Sequence, residues 1–393
     1  MLKTRLNPTV PSVFVKLEYM FVSFFLAVSA FWLPFITPSH YGCTRHATRE
    51  SRRQNARLLH KSGSGHGMLS VAGPFSLTAL LCGMLTLLPS ATVCGANENG
   101  NAQYVDPFIG TEGGGNVFPG ACVPFGMVKL GPDCGNMEWN AGWAPDGNIH
   151  GFSHTHVSGT GGGCKYGNIL MLPMTGVIDL SDYSSPRENE RASVGEYSVE
   201  LTRYGTSARL TALDRAALHE YTFPAATDSR ILFDMGSCLA LKMCETQKVI
   251  GSEVSILSPT ELEGYTRVRG GWNEGEAYTV YFHAETDTPA VSFGTWKDGK
   301  TEPGKESQFD SGQKTGAYMT FNTTEGQKIR VRVGISYISC GRASANMRQV
   351  DTWDFDKVKA EATAKWNRVL DKVDLDGDKN DKVKFYTALY HCY

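Results

Sequence analysis

Past its first hundred residues, this chain of 393 is notable for what it lacks. It has no block of lysines and arginines: 38 basic and 40 acidic side chains leave a formal net charge of −2, which argues against nucleic acid as a partner. No two cysteines stand at C-x-x-C spacing, so a structural zinc site is not expected. No amphipathic helical period appears before residue 340, which excludes the βαβ order of a parallel sheet. The glycine-rich "GTEGGGN" at 110–116 lacks the Lys-Ser/Thr ending of a phosphate loop, and no helical pattern follows it. It reads as a turn near a ligand site.

Long apolar runs are confined to the beginning. Residues 19–36, "YMFVSFFLAVSAFWLPFI", carry no charge for 18 positions, just enough to span a bilayer. An arginine-rich stretch follows, and then a second uncharged run starts at Met68 and ends in "SATVCGA". Residues 68–96 read as a signal peptide with Gly95 and Ala96 at the cleavage point. Residues 1–67 are then a basic and apolar leader: a membrane segment, or an artefact if translation starts at Met68. Against that start, no Lys or Arg would precede the apolar core. Cys94 is a weak lipid-anchor signal, because Val93 is bulky for the preceding position. Every version predicts export to a periplasm, cell surface or medium, with a membrane tether as one option. Seven cysteines follow the leader, an odd number that permits one or two disulfides without specifying them.

From Tyr104 onward strands and turns dominate. "EYSVELTRY" alternates Tyr197, Val199 and Leu201 against Ser198, Glu200 and Thr202, the period of a half-buried strand. "KIRVRVGISYIS" does the same, with Ile329, Val331, Val333, Ile335 and Tyr337 on one face. Many such runs, each broken by Gly, Pro, Asp or Asn, predict a large antiparallel β-sandwich over 104–340. Near Cys340 the period changes. Phe355, Val358, Ala362, Trp366, Val369, Leu370 and Val373 form one helical stripe capped by Asp354 or Asp356, within a linker region over 341–379. A second helix starts at 380 and runs to 393.

The stretch "GFSHTHVSGTGGG" at 151–163 places His154 and His156 two apart and then empties into glycine. In an extended segment both imidazoles project the same way. A metal would need further ligands and second-shell partners that no familiar spacing supplies. Alternatively the rings hydrogen-bond to backbone while Gly161–Gly163 make a tight loop. The remaining reading is a ligand-facing loop. There Trp139 and Trp143 stack on a sugar, while Asp146, His154 and His156 exchange hydrogen bonds with hydroxyls.

"YVDPFIGTEGGGNVFPGACVPFGMVKLGPD", "IHGFSHTHVSGTGGG", "WDFDKVKAEATAKWNRVL" and "FYTALYH" together resemble glycoside hydrolase family 92, calcium-dependent exo-α-mannosidases, over about residues 104–391. The resemblance implies a galactose-mutarotase-like supersandwich, a linker helix and an (α/α)6 barrel, with the active site between the domains. It further implies inverting hydrolysis of α-mannosides in glycoprotein glycans or mannan. In that scheme Trp143, Asp146, His154 and His156 contact substrate, and Gly151 and Gly159 shape the loop. The catalytic carboxylates and most ligands of the Ca2+ ion would come from the barrel. Twelve barrel helices need roughly 200 residues, and only 40 run from Asp354 to Tyr393. Cys392 and Tyr393 also depart from the expected continuation, as a frameshift or truncated gene would produce. The expectation is therefore an incomplete, inactive fragment with no catalytic or metal-ligating residue of its own. The alternative is a non-catalytic carbohydrate-binding or structural module. "DLDGDKNDKVKF" from Asp374 imitates a calcium loop, but its glycine sits at position 4 and Phe385 stands where a bidentate Glu belongs. It reads as an interhelix turn.

Overall fold

The computed structural model describes residues 100–134, 141–159, 166–239, 247–270, 275–312 and 314–393, all within one compact unit, Leu88–Tyr393. The leader, the signal segment, Trp139, Gly161–Gly163, Cys164 and Cys244 lie outside the described residues. In chain order the strands are β1 (Ala121–Cys122), β2 (Lys129–Cys134), β3 (Ile149–Ser153), β4 (Leu170–Met174), β5 (Arg187–Ser193) and β6 (Glu196–Leu201). There follow β7 (Thr206–Ala212), β8 (Ala216–Phe223), β9 (Ala226–Asp234), β10 (Lys248–Ile256), β11 (Glu261–Arg269) and β12 (Tyr278–Thr286). The last are β13 (Ser292–Lys297), β14 (Lys300–Pro303), β15 (Ser307–Asp310), β16 (Thr315–Thr323) and β17 (Gln327–Ser336). Three helices end the chain: α1 (Cys340–Met347), α2 (Phe355–Leu370) and α3 (Lys379–His391).

The strands pair antiparallel in two sheets. The first runs β1-β2-β3-β4-β9-β16-β13-β14, the second β15-β10-β11-β12-β17-β8-β7-β6-β5. This is the expected large β-sandwich. Side-chain alternation explains the packing: Tyr197, Val199 and Leu201 of β6 and Ile329, Val331, Val333 and Ile335 of β17 all enter one core with Phe152, Tyr221 and Phe233. Tyr337 does not follow them, because β17 ends at Ser336, and its ring is 45% exposed.

The helical stripe buries Phe355, Val358, Ala362, Trp366 and Leu370, and the Asp354 carboxylate caps α2 through the amides of Asp356 and Lys357. Val373 falls past the helix end at Leu370 and is 39% exposed. Trp366 is the anchor. Its indole donates to the Cys122 carbonyl at 2.7 Å and lies 4.2 Å from the Tyr390 ring of α3. A polar latch reinforces the seat: Arg209 of β7 reaches Glu196, Glu220 and Asp356 of α2. Asp378 caps α3 through the Asp381 amide, so the acidic loop from Asp374 is the predicted interhelix turn. Cys122, Cys134, Cys238, Cys340 and Cys392 are all thiols, so none of the permitted disulfides forms among the described residues. Among the described residues no helix is long and apolar enough to cross a membrane.

Candidate functional site

The His-x-His segment continues directly from β3, and its backbone still bridges neighbours: Lys129 donates to the His154 carbonyl and His154 to the Asn168 carbonyl. Both imidazoles are buried, His154 fully and His156 with 4% exposure. The His156 Nδ1 faces the Lys129 carbonyl at 2.7 Å and must carry a proton to bond it. Its Nε2 meets Asp133 Oδ1 at 2.6 Å, so a second proton lies between ring and carboxyl. Ser153 donates to the same carboxyl oxygen at 3.0 Å, and Phe118 stacks on the ring at 5.0 Å. Ser, His and Asp together suggest acyl-transfer chemistry, but a relay needs Ser and Asp on opposite ring nitrogens. Here both approach Nε2, and all three side chains are buried. The group is a brace.

His154 belongs to a different network that crosses the sandwich. Its Nδ1 donates to the Ile169 carbonyl at 2.6 Å, which leaves Nε2 as an acceptor. His219 of β8 donates to that Nε2 at 3.0 Å, and the Tyr221 hydroxyl donates to His219 Nδ1 at 2.8 Å. Every donor is matched with both rings neutral. Burial accordingly lowers the pKa of His154 to about 4 and holds that of His219 well below the ordinary value. The expectation that His154 and His156 present hydrogen bonds to a sugar is therefore corrected. All four of their ring nitrogens are engaged inside the protein, and local strand period could not reveal Asp133, Ile169 or His219 as partners.

Trp143 is also enclosed, with 4% exposure. Its indole donates to Glu190 at 2.8 Å, a carboxylate that also accepts from Tyr197, and Phe108 packs on it at 5.9 Å. Arg187 sits 5.2 Å from the indole centre, pairs with Glu190 and donates to the carbonyls of Ala144 and Pro145. It also reaches the Cys134 sulfur, yet burial pushes that thiol up to about 11 and keeps it protonated. This clamp fixes the turn that carries Asp146, which is exposed. Of the four expected contact residues, Asp146 alone has its side chain at the surface. Arg187, Glu190, Asp133 and His219 are the supporting groups that sequence reasoning missed. "ALHEYTF" held the one available signal, a histidine in register with Ala217, Tyr221 and Phe223 on one strand face.

The two glycines differ. A Cβ at Gly151 would strike Leu170 at 2.4 Å, so this residue permits strand packing rather than shaping a loop. Gly159 does shape one: its φ is +76°, its amide donates to Asn116, and the His391 carbonyl lies near it. It thereby joins the glycine-rich 110–116 loop to the end of α3, where His391 contacts the Ile109 carbonyl. Ile109, Glu112, Gly113, Gly114, Gly115, Pro145, Asp146, Asn148 and Gly159 are exposed parts of these loops. Two buried acceptors, Asn116 Oδ1 and Asp133 Oδ2, have no hydrogen-bond partner among the described residues. Among the described residues no cluster of three or more His, Cys, Asp or Glu side chains could hold a metal ion. Calcium prefers oxygen ligands, so the histidines would not supply one.

The family model for the glycosyl hydrolase family 92 N-terminal domain matches residues 104–336, and that for the family's catalytic domain matches 342–393. A curated relative from Arthroderma benhamiae, described as an uncharacterized secreted glycosidase, is 28% identical over 324 residues, covering 73% of this chain and 40% of the relative. Among solved structures, the family GH92 α-mannosidase BT3965 from Bacteroides thetaiotaomicron is similar with a TM-score of 0.68 and 30% identity, over 74% of this chain and 41% of that one. The family GH92 inverting mannosidase BT2199 from the same species has a TM-score of 0.64 and 25% identity, over 75% and 40% of the two chains. The chain thus spans about two fifths of these relatives' length.

Proposed function

Because the chain belongs to glycosyl hydrolase family 92, we propose that it is the substrate-positioning part of an exported α-mannosidase that breaks down glycoprotein glycans or mannan by inversion. The observation that carries this reading is the clamp that holds the exposed Asp146 turn on a rigid sandwich end. Trp143, Arg187 and Glu190 fix the turn, and the buried His156–Asp133 brace fixes the neighbouring segment. Surrounding side chains locked in this way are what a binding loop needs to keep its geometry.

Inversion needs a carboxylic acid to protonate the departing oxygen and a carboxylate base to activate water, about 6.5–9.5 Å apart. The buried carboxyls of the sandwich, Asp133, Glu220, Asp234 and Asp310, are each engaged by protein donors. We assign neither role to them, and expect the acid, the base and the calcium ligands to come from catalytic-domain residues other than those in this chain. The 393 residues by themselves are then inactive. Asp146 accepts hydrogen bonds from mannose hydroxyls, while His154 and His156 keep the loop in place. The test is calorimetric titration with methyl α-mannoside. Binding weakened about tenfold by Asp146→Ala is the expected result. Identical affinity in parent and variant would remove Asp146 from the site.

The second reading, a carbohydrate-binding module with no hydrolytic partner, is favoured by the same engaged carboxyls. Adding a separately produced catalytic domain of the family distinguishes the two, since only the first reading expects turnover to appear.

A further inference from the structure

One row of side chains on the outer face of the nine-stranded sheet belongs to none of the networks above. Antiparallel register places Phe309 of β15 opposite Glu253 of β10, Glu253 opposite Tyr265 of β11, and Tyr265 opposite Tyr281 of β12. Directly opposed residues share a face, so this row crosses four strands, or about 14 Å. Leu262, Gly264, Thr266 and Val268 of β11 are buried, whereas Tyr265 between them is partly open and Phe309 is 54% exposed. The two tyrosine rings lie 5.7 Å apart at 56°, and burial together with the facing Glu253 carboxylate raises the Tyr265 pKa.

We propose that Phe309, Tyr265 and Tyr281 form a second glycan-binding surface, on which a neutral oligosaccharide lies across β15, β10, β11 and β12. Sugar rings would stack through their C–H faces on the aromatics, while Glu253, Arg267 and the tyrosine hydroxyls exchange hydrogen bonds with sugar hydroxyls. Charge favours a neutral ligand. Of the carboxylates around the row, Glu285 pairs with Arg332 and Glu263 meets the His283 imidazole at 3.1 Å. A second copy of the chain is a poorer fit. Three aromatic side chains of at most about 250 Å² each fall short of the ~800 Å² per partner that a stable interface buries. The choice of ligand class rests on the family reading given above; the surface shares no residue with the Asp146 loops.

The test is electrophoresis of the full chain in native gels containing soluble α-mannan, beside saturation-transfer spectra with methyl α-mannoside. Mannan should retard the parent. The Tyr265→Ala/Tyr281→Ala double variant should need about tenfold more mannan for the same retardation. Phe309→Ala, at an exposed position that folding tolerates, should show a smaller loss in the same direction, and Tyr281→Phe should keep most of the effect. The aromatic variants should retain the methyl α-mannoside signal and Asp146→Ala should lose it. Retained aromatic dependence in mannan with no methyl α-mannoside signal would sink the Asp146 reading alone. Parent-like migration of folded double and Phe309→Ala variants, or no retardation of the parent, would overturn the second surface.

Discussion

A histidine pair in a glycine-rich loop invites a ligand, and here each ring has a closed set of protein partners. His154 and His219 meet nitrogen to nitrogen in the core, so adding a proton to either destroys the donor–acceptor match and charges a desolvated ring. Their pKa values lie below the unfolded value of about 6.5, so the unfolded chain binds more protons as acid is added. Stability is complete above about 6.5 and falls with pH through His154's value of about 4. That single shift corresponds to roughly 3 kcal/mol. Urea midpoints from pH 7 to 4 should fall in the parent and fall less in His219→Phe. Equal slopes would contradict the neutral pair. The sequence made His154 and His156 visible as unusual residues, but their role depended on Asp133 and His219, contributed by other strands.

Elements were easier to read because their periods are local. The alternation in β6 and β17 and the stripe of α2 are consequences of one face meeting a core, and each follows from neighbours a few positions away. Helix α1 was hidden: "CGRASANM" has small and polar residues, and only Ala343 and Met347 are buried where it packs beneath β17. Cysteine pairing was not legible either, since thiols such as Cys122 and Cys134 pack singly in the core. For α2 the decisive residue is Trp366. Trp366→Ala should cost about 3–5 kcal/mol, through lost packing and an unsatisfied Cys122 carbonyl. An urea denaturation showing under 1 kcal/mol would mean that the helix is not seated as described.

At the scale of the molecule, the sandwich was legible from strand number and turn spacing, and the family from four motifs in order. The binding face was only partly legible, because burial is a property of the assembled sheets: Trp143, His154 and His156 look alike in sequence to residues that touch a ligand. On the proposed division this chain supplies no calcium ligand, and among the described residues no cluster could hold a metal ion. EDTA should leave its thermal midpoint unchanged, and a fall of several degrees on chelation, reversed by calcium, would reveal a structural ion.

The most direct measurement follows α-linked mannobiose and the purified chain in one proton NMR sample. Saturation transfer from protein to sugar, diminished in Asp146→Ala and with no growing signal of free mannose, is the predicted result. Steady release of mannose by this chain alone would contradict the division between a positioning sandwich and acids supplied from elsewhere.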